Sequence, residues 1–194
     1  AKTADDMISR GEFAVYTAKM YHIGENLESD KIYFTDIDTD SAYMSSIHFL
    51  VESGVVSLDD ERCFRPNETI TGYEAVKMMA AITGYGAYAM NKGGYPLGYL
   101  SAARSSGIID GSFSDHPLNF YEAVKLIADT LMAPTYEMVG FSENSIRYSA
   151  AENKTLLENN FKIAFEEGKV TDINCFAFSG NSVDDGQFRM NGNV

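Results

Sequence analysis

The chain has 194 residues, 45% of them hydrophobic, enough for a packed core in one ordinary domain or two small ones. Its formal charge of −13 repels phosphate backbones and its fifteen Lys and Arg are scattered, which argues against a nucleic-acid partner. No run of about 18 apolar residues occurs, so no helical membrane span is expected, and residues 1–6 lack the pattern of a signal peptide, so any export signal is already removed or lies outside this sequence.

In chain order, the first expected helix covers about residues 9–23, opened by Ser9 with Glu12 three places on, the pattern of a capping box, and carrying Phe13, Tyr16 and Met20 at helical spacing. Tyr43, Ile47, Leu50 and Val51 predict a second helix from about Ser41 to Ser53, stopped by Gly54. Thr71 with Glu74 opens a third, about 71–84. Pro96, suited to a first helical turn, starts a fourth that ends at Ser106 before Gly107. Asn119 with Glu122 opens a fifth, about 119–132.

These segments repeat. Residues 73–80 read YEAVKMMA and 121–128 read YEAVKLIA; upstream lie Ser53-Gly54-Val55-Val56 and Ser106-Gly107-Ile108-Ile109. The unit is therefore two helices, with capped second helices at about 9–23, 71–84 and 119–132 gathered at the centre, each cap preceded by an apolar residue: Ile8, Ile70 and Leu118. The first unit begins just before its second helix. After Pro134 a polar loop through Ser142–Ser145 and a short helix around Glu152–Asn160 are expected. Val170, Ile173, Phe176, Phe178, Phe188 and Met190 then read as a small β element with hairpin connections at Ser179-Gly180-Asn181 and Asp185-Gly186.

Other patterns carry less. Cys63 and Cys175 have neither metal spacing nor scaffold density and are read as free thiols; His22, His48 and His116 stand alone and are assigned to no metal. Asp36, Asp38 and Asp40 alternate as in a calcium loop, but Ser41 and Ile47 occupy the positions that require Gly and Glu, so they are read as a solvated turn. The glycines at 84, 86, 93 and 94 follow no strand, which removes a phosphate loop. No nucleophile or acid can be paired with a base, so no catalytic residue, cofactor or metal is assigned.

Phe64-Arg65-Pro66-Asn67, followed by Ile70-Thr71 and Glu74-Ala75, resembles the signature F-x-P-N-x-x-I-T-R-x-E of S-layer homology domains, and Phe34-Thr35-Asp36-Ile37 with Tyr43 and Gly54-Val55-Val56 resembles the opening of the same repeat. The likeness covers about residues 5–134, divided as 1–30, 31–90 and 91–134, with 135–194 as a connector and the start of the β element. A looser likeness, from Thr155 to Thr171, is to sequence found after such repeats in large Firmicute surface proteins and implies further extracellular domains of the same polypeptide.

The resemblance implies a mainly α, pseudo-threefold bundle of S-layer homology helix-loop-helix repeats, a non-catalytic module at the extracellular surface of a Gram-positive cell. Its grooves would bind a secondary cell wall polymer or peptidoglycan-linked glycan, often through a pyruvylated sugar held by the arginine of a Thr-Arg-Ala-Glu motif. A guanidinium fork matches a carboxylate by two parallel charge-assisted bonds. The first copy keeps that arginine, Ser9-Arg10-Gly11-Glu12; the others read Thr71-Gly72-Tyr73-Glu74 and Asn119-Phe120-Tyr121-Glu122. The expected ligand-binding set is thus Arg10 and Glu12, the weaker candidate Arg65, Thr71 and Glu74, and the aromatics Tyr73, Phe120 and Tyr121, which either stack on sugar rings or pack between helices. The alternative is a degenerate module for structural or protein–protein interaction, without wall binding.

Overall fold

The computed structural model describes residues 2–21, 34–111, 113–142, 145–164, 168–173, 176–177 and 188–190. The chain divides into two compact units, Ala1–Lys162 and Ile163–Val194. The first is mainly α, and no helix among the described residues is long and apolar enough to cross a membrane.

Three capped helices carry the repeat: α1 (Arg10–Lys19), α3 (Gly72–Ile82) and α6 (Phe120–Met132). Ser9, Thr71 and Asn119 hold extended backbone, and in each case the glutamate three residues on accepts the cap residue's own N–H, at 2.8, 3.0 and 3.0 Å. The Ser9 and Asn119 side chains return the bond to the glutamate N–H. This offsets the unpaired donors of a first helical turn. α1 and α3 end earlier than the apolar periodicity predicts. α3 stops where the Thr83 hydroxyl donates to the carbonyls of Met79 and Ala80 and Gly84 turns left-handed at φ 91°.

The residue before each cap makes a main-chain cycle. Ile8 N–H donates to Leu118 O (3.2 Å), Leu118 N–H to Ile70 O (3.0 Å), and Ile70 N–H to Ile8 O (3.1 Å). A second cycle surrounds it: Arg10 N–H to Glu68 O, Gly72 N–H to His116 O, and Phe120 N–H to Asp6 O, each at 2.8 Å. The side chains of Ile8, Ile70 and Leu118 are buried to 1% exposure or less beside Phe13, Val76 and Met79. The amides that an extended segment must bury are thereby paired.

The outer helices are α2 (Met44–Glu52) and α5 (Leu97–Ser105), close to their predicted spans; α2 packs on α1 and α5 on α3. Both end alike. Gly54 and Gly107 take φ of 72° and 79°, letting Val55 and Val56 donate to Leu50 O, and Ile108 and Ile109 to Ala103 O. The Asp36 carboxylate accepts the N–H groups of Phe64 and Arg65 and so fixes the turn before α3.

Three features depart from the sequence reading. A short helix, α4 (Gly86–Asn91), occupies the glycine-punctuated stretch after α3. In place of a polar loop stands an antiparallel hairpin, β1 (Pro134–Ser142) with β2 (Ser145–Thr155). The helix expected around 152–160 shrinks to α7 (Leu156–Phe161), capped by Thr155 and Glu158. The hairpin is a tertiary product. Tyr136 N–H donates to Thr83 O at 2.8 Å, and the Tyr136 ring stacks between Tyr85 (4.6 Å) and Tyr148 (5.9 Å). Tyr136 O lies so near Gly84 that a Cβ there would collide with it.

The second unit holds a three-stranded antiparallel sheet in the order β4 (Phe176–Ala177), β3 (Val170–Ile173), β5 (Phe188–Met190). The expected hairpin connections at 179–181 and 185–186, with Phe178, His22 and Cys175, lie outside the described residues. Cys63 is a free thiol.

Because Ile70 is fully buried at the cycle, Ile70→Ala leaves a cavity and lowers the unfolding free energy of the first unit by about 3 kcal/mol. Urea denaturation followed by circular dichroism measures this.

Candidate functional site

Where α1 meets α3 the chain forms a cavity of about 220 Å³ lined by Arg10, Glu74, Lys77 and Tyr95 over the Val55-Val56-Ser57 turn. Arg10 is the first residue of α1. Its guanidinium ion-pairs with Glu74, its Nε donates to Phe64 O at 2.9 Å, and it lies 4.9 Å from the Phe64 ring centroid. One Glu74 oxygen caps α3 and the other holds Arg10, so cap and cation share one carboxylate. Lys77, one turn further along α3, sits 6.0 Å from the Tyr95 ring centroid. Burial lowers its pKa and Arg10 adds to the effect, with Glu74 opposing. Two cations against one carboxylate leave this lining with an unmatched positive charge, which favours an anionic guest.

The repeat builds a second cavity of about 200 Å³, in which Ile108, Ile109 and Asp110 stand where Val55, Val56 and Ser57 stand in the first, and Glu122, Lys125 and Leu126 replace Glu74, Lys77 and Met78. No arginine lines it. The position equivalent to Arg10 is Gly72, and an added Cβ there would meet Phe113 Cε1 at 2.8 Å and Ser114 O at 2.9 Å. His116 supplies the cation instead, its Nε2 lying 3.0 Å from Glu122 Oε1. The hydrogen bond to Glu122 is the main cause that raises the His116 pKa. Glu122 is lowered first by the Asn119 N–H and then by His116. Lys125 is occupied by Asp129 at 2.6 Å.

At the third equivalent position Phe120 lies 6.5 Å from Tyr16 on the wall of an apolar groove. Glu12, the third capping glutamate, pairs with Lys2 at 2.8 Å; burial raises its pKa, but Lys2 and the Ser9 N–H outweigh this and hold it below the ordinary value. Three equivalent glutamates thus meet three different cations: lysine, arginine and histidine.

Of the residues singled out in the sequence, Arg10 and Glu74 come together, with Thr71 at the cap behind them. Arg65 does not line this cavity: it ion-pairs with Asp59 and faces Glu68 at 3.8 Å, in a left-handed backbone position at φ 59°. Tyr73 is half-buried, its N–H donating to Asp115 Oδ1 at 3.0 Å; Tyr121 is exposed on the wall of the second cavity. Lys77 and Tyr95 were not singled out. The recurrence of Lys77 and Lys125 in the YEAVK pair was the available signal for the first.

A chain of helix-loop-helix units, with capped inner helices and grooves beside each cap, is a repeat module. The model of the S-layer homology domain matches residues 33–76, so this segment is an S-layer homology domain. The chain is also 30% identical, over 86 residues and 41% of its length, to an S-layer protein of Bacillus thuringiensis subsp. finitimus and to S-layer protein sap of Bacillus anthracis. The matched part spans 10% and 11% of those proteins, about a tenth of the length of either.

The pair in the second cavity predicts a titration. Stability from the raised His116 is present below about pH 6.5 and is lost as pH rises through its folded pKa; that from the lowered Glu122 is present above about pH 4.5 and is lost as pH falls through its folded pKa. The pair therefore contributes most at roughly pH 5–6. An NMR titration should place the His116 midpoint above that of an ordinary imidazole, and Glu122→Gln should bring it down.

Proposed function

We propose that this chain is a non-catalytic anchoring module of an extracellular bacterial surface protein, and that its α1–α3 cavity binds an acidic substituent of a secondary cell wall polymer. The observation that carries the reading is Arg10 with Lys77 beside a single carboxylate, in a cavity formed with an S-layer homology segment. Arg10 and Lys77 receive the anion, Glu74 orients the guanidinium, Thr71 and Glu74 fix the start of α3, and Tyr95 offers a ring face to the sugar. Glu12 plays the equivalent capping role in α1. Further domains of the same polypeptide would be the cargo. The closed hydrogen-bond cycles support a pseudo-threefold arrangement of α1, α3 and α6, in which the three grooves are equivalent in origin.

The second reading, a structural or protein-binding module, is favoured by the other two positions. Phe113 stands against Gly72, and Phe120 and Tyr16 make the third groove apolar, so neither offers the guanidinium that an acidic sugar would need.

Co-sedimentation with purified cell wall, intact or stripped of its secondary polymer, separates the two. The wild-type chain should pellet with intact wall alone. Arg10→Ala should lose about tenfold or more in affinity, since charge-assisted bonds contribute about 1.5–3 kcal/mol, and Arg10→Lys should lie between, keeping charge without the fork. Equal retention of Arg10→Ala, folded by circular dichroism, removes Arg10 from the site; no retention of wild type leaves the second reading.

A further inference from the structure

Each inner helix opens with amides that its own first turn leaves unpaired, and a loop packed against it accepts two of them. At α1 the acceptors are Glu68 O for Arg10 N–H and Pro66 O for Gly11 N–H, both at 2.8 Å. At α6 they are Asp6 O for Phe120 N–H and Ala4 O for Tyr121 N–H, at 2.8 and 3.1 Å. In both loops the two carbonyls stand two residues apart. At α3 the first bond follows suit, with Gly72 N–H on His116 O at 2.8 Å. The second does not. Ser114 O stands where Pro66 O and Ala4 O stand, yet Tyr73 N–H goes to the Asp115 side chain, Oδ1, at 3.0 Å.

Ser114 O is turned to the His116 ring instead, 3.1 Å from Nδ1. A carbonyl only accepts, so this contact needs a proton on Nδ1. Nε2 faces a second acceptor, Glu122 Oε1, at 3.0 Å. A ring with acceptors at both nitrogens is matched in full only as the imidazolium. The bond to Glu122 does most to hold that form, burial opposes it, and the Ser114 carbonyl and Asp115 add to it. Around the same cavity stand Asp110, Tyr121 and the Lys125–Asp129 pair, and Tyr73 lies on the α3 side of the loop, so the surrounding charge is predominantly acidic.

Once neutral, with its proton kept at Nε2 for Glu122, the ring presents a lone pair to Ser114 O. The Ser114 hydroxyl, 3.2 Å from Nδ1, supplies a donor to that lone pair, and the carbonyl is left with no proton to accept. It already lies beside α3. A Cβ built on Gly72 would stand 2.9 Å from Ser114 O, as one built on Gly11 would stand 3.0 Å from Pro66 O.

We propose that His116 is a pH-operated switch in the capping of α3. Charged, it holds the Ser114 carbonyl, and Asp115 caps Tyr73 N–H; neutral, it releases that carbonyl, which takes Tyr73 N–H as Pro66 and Ala4 take its counterparts. The element with two arrangements is the turn 114–116. Phe113, just ahead of it, and His116 itself both line the second cavity, so the wall of that cavity follows the charge on the ring. The switch is independent of wall binding at Arg10, which lies in a different cavity.

NMR on the full chain tests this. The Tyr73 amide nitrogen should show through-hydrogen-bond coupling to the Asp115 carboxyl carbon below the His116 titration midpoint, and to the Ser114 carbonyl carbon above it. Asp115→Ala should speed Tyr73 amide exchange by about tenfold below that midpoint and change it by less than about twofold above it. His116→Ala, folded by circular dichroism, should show the Ser114 coupling at every pH. The proposal is overturned if Tyr73 keeps Asp115 as its partner on both sides of the midpoint, if Asp115→Ala acts equally on both sides, or if the change of partner survives in His116→Ala. Should His116→Ala fail to fold, the wild-type couplings and Asp115→Ala decide alone.

Discussion

The fold depends on three amides that have nowhere else to go. Each inner helix follows an extended cap residue, and just ahead of the caps stand Ile8, Ile70 and Leu118, buried so that their N–H and C=O are cut off from water. Each satisfies the next in a closed ring. An unmet buried amide costs about 1–3 kcal/mol, so the ring fixes the entry of all three helices at once. The grooves inherit that order. The second ring, through Arg10, Gly72 and Phe120, places the first residue of each inner helix at the edge of a groove.

With the backbone held this way, the three grooves carry different linings. Arg10 keeps a polar, cation-rich cavity; Gly72 gives its place to Phe113, and His116 takes over the pairing of Glu122; Phe120 turns the third groove apolar. The formal charge of −13 does not set the character of the first cavity, because exposed charges are screened over about 8 Å at physiological ionic strength. Arg10 and Lys77 act within that range.

The inner helices were legible because their signals are local: a polar residue, a glutamate three places on, and an apolar stripe. So were α2 and α5, closed by Gly54 and Gly107. The hairpin was not, because Tyr136 is held by Thr83 and Tyr85, about fifty residues upstream, and its sequence lacks clean alternation. The same limit applied to the site. Arg10 could be singled out, yet nothing in the linear order shows that the carboxylate it meets, 64 residues away, is the one capping the next helix. The linear order separates cap from arginine in that motif; the geometry joins them in Glu74. Arg65 carries the right chemistry and a neighbouring motif, but Asp59 and Glu68 engage it at a turn.

The rings also have a mechanical meaning. A pull on the chain at Lys162 acts on α7 and the hairpin, which are tied to Met20 at the end of α1, to Thr83 at the end of α3 and to Met132 at the end of α6, all remote from the caps. The pull is thus carried down the inner helices before it reaches Ile8, Ile70 and Leu118, whose bonds join one helix entry to the next. Several linkages must then give way together rather than one after another, as suits a joint that stays closed under shear.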